Sequence, residues 1–173
     1  MNLIITCQRN LEEPTILEIK NSLERFGDRD AIVEKTIFSW IIQVETGLDI
    51  MQVLENFKEI IEDEPWLIKY CSRIIPIQDE CESKLDKIKD KVINLSHIIK
   101  KNDTYRITIE KRQSSLHTKD IISEIANSLS NKVSLENSDW EIIVQVLRNK
   151  TGVSIIPPNS ILSVDREKRV ELD

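Results

Sequence analysis

With 173 residues, the chain is long enough for one large domain or two small ones, each with a real core. Forty per cent apolar and 31 % charged residues exclude a disordered polymer, and no apolar run is long enough to span a membrane. The net charge of −6 opposes broad, non-specific nucleic-acid binding. Three cysteines (Cys7, Cys71, Cys81) are an odd number with no Cys-x-x-Cys pair, which argues against a disulfide framework or a zinc site and for a reducing compartment, the cytoplasm. Met1 leads into Leu3-Ile-Ile5 without a basic n-region or a small-residue cleavage site, so no signal peptide is expected.

The first 78 residues read as strand, helix, strand, strand, helix, strand. Leu3–Cys7 is a short apolar strand. Pro14 stands where a helix can begin, Ile16, Ile19, Leu23 and Phe26 fall on one face, and Gly27 is the expected stop. Two β-rich runs follow, Ala31–Thr36 and Ser39–Glu45, and alternation in the second puts Trp40, Ile42 and Val44 on one side. Asp49, followed three residues later by Gln52, caps the next helix, and Pro65 lies just past its end. Ile50, Val53, Leu54, Phe57, Ile60 and Ile61 form its apolar stripe, while Glu55, Lys58, Glu59 and Glu62 face water. A strand over Leu67–Ile77 completes a βαββαβ order, the ferredoxin-like sandwich of two helices on one face of an antiparallel sheet.

Beyond Pro76, Asp79–Ser83 reads as a short polar linker. Leu85, Ile88, Val92, Leu95 and Ile99 give a third amphipathic helix. The strand Tyr105–Arg112, a polar loop and a helix over Thr118–Ser130 come next. They are followed by Lys132-Val-Ser-Leu-Glu-Asn137-Ser-Asp139, the strand Glu141–Leu147 and Gly152-Val-Ser-Ile155. The segment from Asp165 onward is charged and expected to fray. These readings divide the chain into residues 1–78, residues 79–165 and a charged tail, 166–173.

Charge is unevenly distributed along this order. Residues 1–78 carry 8 Lys/Arg against 14 Asp/Glu, whereas residues 100–150 carry 9 against 7. The net-positive block permits a localised basic face, which phosphate binding needs. Catalytic machinery is not apparent. With Gly27, Gly47 and Gly152 as the three glycines, no glycine-rich loop can cradle the phosphates of a nucleotide cofactor. His97 and His117 are twenty residues apart with no cysteine near either; His97 sits beside an apolar helix face and His117 in the loop after Lys111-Arg112. The run Glu62-Asp63-Glu64 at a helix end is a solvated face, and Trp140 an anchor at a core edge. Neither a metal, a cofactor nor autonomous catalysis is expected.

A strand ending in Lys111-Arg112, the Val133-x-Leu-x-Asn-x-Asp139 run and the Gly152-Val-Ser strand, in that order, resemble a THUMP domain, an RNA-binding module of tRNA-modifying enzymes. The resemblance implies an α+β fold: a ferredoxin-like N-terminal domain followed by a THUMP domain of αβαββ order. Because the sequence stops about ten residues after Leu162, where the THUMP-like stretch ends, it looks most like the stand-alone adaptors of tRNA cytidine acetylation, which present tRNA to a separate RNA acetyltransferase catalytic subunit. Val33-Glu-Lys-Thr36, Glu62-x-Glu-Pro-Trp66 and Arg73-Ile-Ile-Pro-Ile77 are similar to that group. The resemblance implies a grip on the acceptor end of tRNA, and carried onto this chain it selects Arg106, Lys111, Arg112, Lys119, Lys132, Arg148 and Lys150; His117 joins them as an RNA-contact candidate from its place in the loop after Lys111-Arg112, with a plain polar loop residue as the alternative. Arginine forks match phosphate oxygens in two bonds, and Lys119 lies in a first helical turn whose N–H groups favour a phosphate. A protein–protein scaffold, or an RNA-binding subunit of a methyltransferase or thiolation enzyme, is the alternative.

Overall fold

The computed structural model describes residues 1–170, and its chain divides into two units, Met1–Pro76 joined by the segment from Ser160, and Ile77–Asn159. In the first unit the order is β1 (Leu3–Cys7), α1 (Glu12–Arg25), β2 (Ile32–Lys35), β3 (Ile41–Glu45), α2 (Ile50–Asp63) and β4 (Cys71–Pro76). This is the βαββαβ order read from the sequence. The strands pair antiparallel as β4-β1-β3-β2, with Ile5 opposite both Ile42 and Ile74. Leu3, Ile5, Ile42, Val44 and Ile74 meet Ile19 and Leu23 of α1 and Val53, Phe57 and Ile61 of α2 in one buried core.

Local chemistry sets the helix ends. The Asp49 side chain accepts the Gln52 N–H at 2.9 Å, so the cap forms as expected, while the Gln52 side chain turns along the helix to Asn56 instead of reaching back to the Asp49 N–H as a reciprocal capping pair would. Gly27 takes a φ of 106°, which only glycine adopts without a Cβ penalty, and the Asp28 N–H closes back onto the Leu23 carbonyl. Pro14 falls in the first turn of α1, two residues later than its expected place at the start, where its missing N–H still costs nothing.

Several boundaries differ from the sequence reading. The stretch before β4 is not strand: Pro65–Leu67 is a single 3₁₀ turn, and the strand starts at Cys71. Trp40 does not share a strand face with Ile42 and Val44. It occupies a tight turn at φ 69° and is exposed, because β3 begins one residue after it. The stretch from Ser160 to Asp165, expected within the second domain, returns to the first unit as β10 (Leu162–Ser163) and the start of α5 (Val164–Val170), and the segment from Asp165 that was expected to fray continues that helix. Leu162 pairs with Ile74, Leu162 and Val164 are buried in the first core, and the Lys168 Nζ donates to the Ile68 carbonyl at 2.6 Å. Residues 171–173 of the expected tail lie outside the described residues.

The second unit holds β5 (Asp79–Glu82), α3 (Leu85–Leu95), β6 (Thr104–Arg112), α4 (Thr118–Ser128), β7 (Lys132–Val133), β8 (Trp140–Leu147) and β9 (Lys150–Ile156). Its sheet runs β5-β9-β8-β6-β7, with β6 parallel to β7 and β8 and the other pairs antiparallel. The αβαββ order expected here is present with two short edge strands added. Asp79–Ser83 is therefore no linker, since Asp79 pairs with Val153 and Glu82 with Lys150. Three acids and one cysteine give little β signal by composition, and pairing to β9 overrides it. Ile88 and Val92 of α3 and Ile121 and Ile125 of α4 pack on Tyr105, Ile142, Val144, Val146, Val153 and Ile155.

Candidate nucleic-acid interface

The parallel pairing of β6 and β8 brings their C-terminal ends together, with Lys111 opposite Val146 and Arg112 opposite Leu147. Directly after Leu147 the chain turns at Arg148, at φ 57°, and the Arg148 N–H donates to the Arg112 carbonyl at 2.9 Å. This bond fixes two cationic residues, 36 positions apart in sequence, at one sheet end.

The loop from β6 to α4 returns to the same place. Lys111 lies on the same side of β6 as Ile107 and Ile109, which pack toward the helices, and its Nζ donates to the Leu116 carbonyl at 2.6 Å. His117 is the extended residue before α4, its own carbonyl accepting from the Asp120 and Ile121 N–H groups, and its ring is exposed. Lys119 follows in the first turn, exposed, where N–H groups lack intrahelical acceptors and the helix dipole favours an anion. Lys111, Arg112, His117, Lys119 and Arg148 thus converge at the C-terminal end of β6 and β8. Lys150 begins β9 opposite Leu147 at the same end, but its Nζ is 3.2 Å from Glu80.

Two of the eight expected positions do not join this group. Lys132 pairs with Thr104, at the opposite end of β6. Arg106 grips Glu141 through both Nε and a terminal nitrogen, and Thr108 Oγ1 donates to the same carboxylate at 3.0 Å. Glu141 is 4 % exposed and Arg106 is its counterion, which commits the Nε and one terminal nitrogen of the guanidinium to that carboxylate. The alternation along β6 holds: Arg106, Thr108, Glu110 and Arg112 form one polar row. Within that row Arg112 stands 3.6 Å from Glu110, which leaves most of the guanidinium's donors for another partner.

The structure adds positions that the sequence reading passed over. Ser83 donates its N–H to the Asn149 carbonyl at 2.9 Å, tying the end of β5 to the Arg148 turn, and Lys84 follows it. Glu82 at 2.6 Å raises the affinity of Lys84 for its proton, while Lys84 in turn lowers the Glu82 carboxyl below its usual range. Recognising β5 as a strand was the signal that would have found them.

Other candidates resolve as structural. The Trp140 indole N–H donates to Asp103 at 2.9 Å and lowers that carboxyl's pKa, while the ring packs against the second core, which is the anchoring role expected for it. His97 sits exposed in a 3₁₀ turn after α3, its Nδ1 2.9 Å from the Asn94 carbonyl. Burial pushes the Cys81 thiol up to about 11 and raises Cys7 and Cys71 as well, so none is a ready thiolate nucleophile. Among the described residues no helix is long and apolar enough to cross a membrane, and no group of three or more His, Cys, Asp or Glu is placed to hold a metal ion.

Comparison with known proteins follows the same division. The uncharacterized Methanocaldococcus jannaschii protein MJ0421 is 28 % identical over 174 residues, covering 98 % of this chain and 44 % of its own length. PH1313 of Pyrococcus horikoshii has a similar fold (TM-score 0.62, 19 % identity, covering 91 % of this chain and 55 % of that one). TrmN of Thermus thermophilus is likewise similar (TM-score 0.60, 8 % identity, 88 % and 44 %). The chain therefore spans about half the length of the proteins it matches. Residues 82–156, the segment that carries the basic end of the second sheet, match the family model of the THUMP domain.

Proposed function

We propose that the protein binds tRNA through the basic end of its THUMP domain and presents it to a separate tRNA-modifying catalytic unit. The single observation that carries this reading is the convergence of Lys111, Arg112, His117, Lys119 and Arg148 at one sheet end, next to the open N-terminus of α4. Phosphate oxygens accept from arginine forks, lysine and helix N–H groups alike, so such a cluster suits a nucleic-acid backbone. Base-edge readout needs side chains that enter a groove, and a cluster at a sheet end grips a strand or a terminus instead. That favours contact with the acceptor end of tRNA. The partner we propose is an RNA cytidine acetyltransferase, with this chain contributing substrate positioning and no chemistry of its own. Holding two reactants together removes encounter entropy from the rate-limiting step.

A second reading is favoured by length. The matched proteins are about twice as long, so the same two units also occur within larger chains, and the RNA-binding part of a methyltransferase or thiolation enzyme fits the same geometry.

Filter binding with total tRNA tests the site. Replacing Lys111 and Arg112 together by alanine should weaken binding about tenfold or more and flatten the slope of log affinity against log salt by roughly one to two units, one for each lost phosphate contact. Alanine at Lys58 and Lys69 of the acidic first unit is the control and should change little. Equal, small effects from the two pairs in folded protein would refute the assignment. An acetyltransferase whose rate on tRNA does not rise on addition of this protein would refute the adaptor role for that enzyme.

A further inference from the structure

On the helical side of the first unit, α1 and the α2 end are separated by an open groove of about 350 Å³. Its apolar wall is Leu17, Leu67 and the buried Ile60. Leu17 lies one position off the stripe that α1 turns to the sheet and is 60 % exposed; Leu67 is 39 % exposed, and the neighbouring Trp66 60 %. Leu17 and Leu67, held at the surface on this concavity, and Trp66 next to Leu67 in sequence have no role in either core.

The groove has a fixed shape. Glu18 lines it and accepts the backbone N–H groups of Lys69, Tyr70 and Cys71, which clamps the segment after the 3₁₀ turn onto α1. Phe26, which lines an adjoining depression, meets the buried Phe57 of α2 edge to face, their centroids 5.1 Å apart.

The groove runs on, past Arg25 and Ile60, into a second depression whose polar wall includes Glu59, Asp63 and Glu64. Glu64 neutralises Arg25, the cation common to both. Glu59 and Asp63 are exposed, and among the described residues neither has an ion-pair partner. An apolar slot opening onto uncompensated carboxylates complements an apolar side chain followed by a cation. It repels a phosphate backbone, as does the whole of residues 1–78 with 14 acids against 8 bases.

We propose that this α1–α2 groove docks a lysine- or arginine-flanked amphipathic helix of a protein partner. The partner's leucine-like side chains enter between Leu17 and Leu67, and its cations face Glu59 and Asp63. The geometry is that of a helix laid in a groove, with specificity from the acidic rim. This inference is independent of the tRNA reading.

The test is fluorescence anisotropy of the full chain with a labelled synthetic helix of about 15 residues, leucines on one face and lysines beside them, against a companion with glutamate in place of lysine. The lysine peptide should bind at least about tenfold tighter than its glutamate companion. Leu17→Glu with Leu67→Glu should weaken it by about tenfold or more while circular dichroism and tRNA binding stay unchanged, because both side chains are exposed. Glu59→Lys with Asp63→Lys, which leaves the apolar wall intact, should invert the preference toward the acidic peptide. Equal binding of the two peptides, no binding of either, indifference to both double variants, or displacement by total tRNA would each overturn the proposal. A chain that captured the peptide but no tRNA would refute the tRNA function and leave this surface standing.

Discussion

Gly152 illustrates how a single residue is constrained by its neighbour. A Cβ there would lie 2.8 and 2.9 Å from Ile77 side-chain atoms, and Ile77 is fully buried with little room to move. Gly152→Ala is expected to destabilise the protein by about 1–3 kcal/mol, and pairing it with Ile77→Val should recover part of that loss. Urea denaturation of the two variants reads this directly, and equal stability of Gly152→Ala and the native chain would show that Ile77 moves freely. Asp28 is a second such residue. Its carboxylate accepts from the Thr46 hydroxyl and the Gly47 N–H, and these bonds to the charged form, Thr46 first, hold its pKa below the ordinary value. A depressed carboxyl contributes stability that is present above its unfolded pKa and lost as pH falls through the folded one. Native protein should therefore lose stability as the pH drops below about 4, and Asp28→Asn should show a shallower acid limb. Identical acid limbs for the two proteins would exclude that contribution.

At the scale of elements, the strong periodic helices were legible because burial enforces the pattern. α2 shows its five buried apolar residues at helical spacing in the sequence itself. Short edge strands carry no such pattern. β5 is four residues with three acids and half-exposed side chains, and β7 is two residues, so both exist only because a neighbour offers hydrogen bonds. The site followed the same rule. Lys111, Arg112 and Lys119 were readable from the strand and helix that end or begin there. Arg148 and Lys132 could be placed at opposite ends of β6 only by the parallel register of β6 against β8 and β7. The case of Arg106 depended on a cross-strand partner, Glu141, that is distant in sequence.

At the scale of the whole molecule, the first unit is closed by sequence that follows the second. Leu162 and Val164 fill its core, and β10 supplies the strand beside β4. A chain truncated after Asn159 should lose β10 and α5 together and expose the edge of β4 and the apolar core that Leu162 and Val164 fill. Removing a buried leucine side chain alone costs about 2–5 kcal/mol, so the truncated first unit is expected to melt well below the full chain, with the second unit's α3 and α4 signals retained. Differential scanning calorimetry would reveal two transitions moving apart. An unshifted profile would mean that the terminal segment adds nothing. The proposed division of labour is distributed in the same way, with basic charge gathered on the second unit and the acidic, apolar groove on the first.

Sequence alone determined the α+β class, the βαββαβ order of the first unit, the Asp49 cap, the Gly27 stop and the position of the THUMP segment. Each of these depends on spacing within a dozen or so residues, where backbone geometry and burial leave a periodic trace. Tertiary structure decided that Asp79–Glu82 is a strand, that the segment from Ser160 returns to the first unit as β10 and α5, that Arg106 is the counterion of Glu141 and that Arg148 stands beside Arg112. Those outcomes turn on partners tens of residues or more away. A hydrogen bond or ion pair between such residues leaves no mark on the local sequence of either.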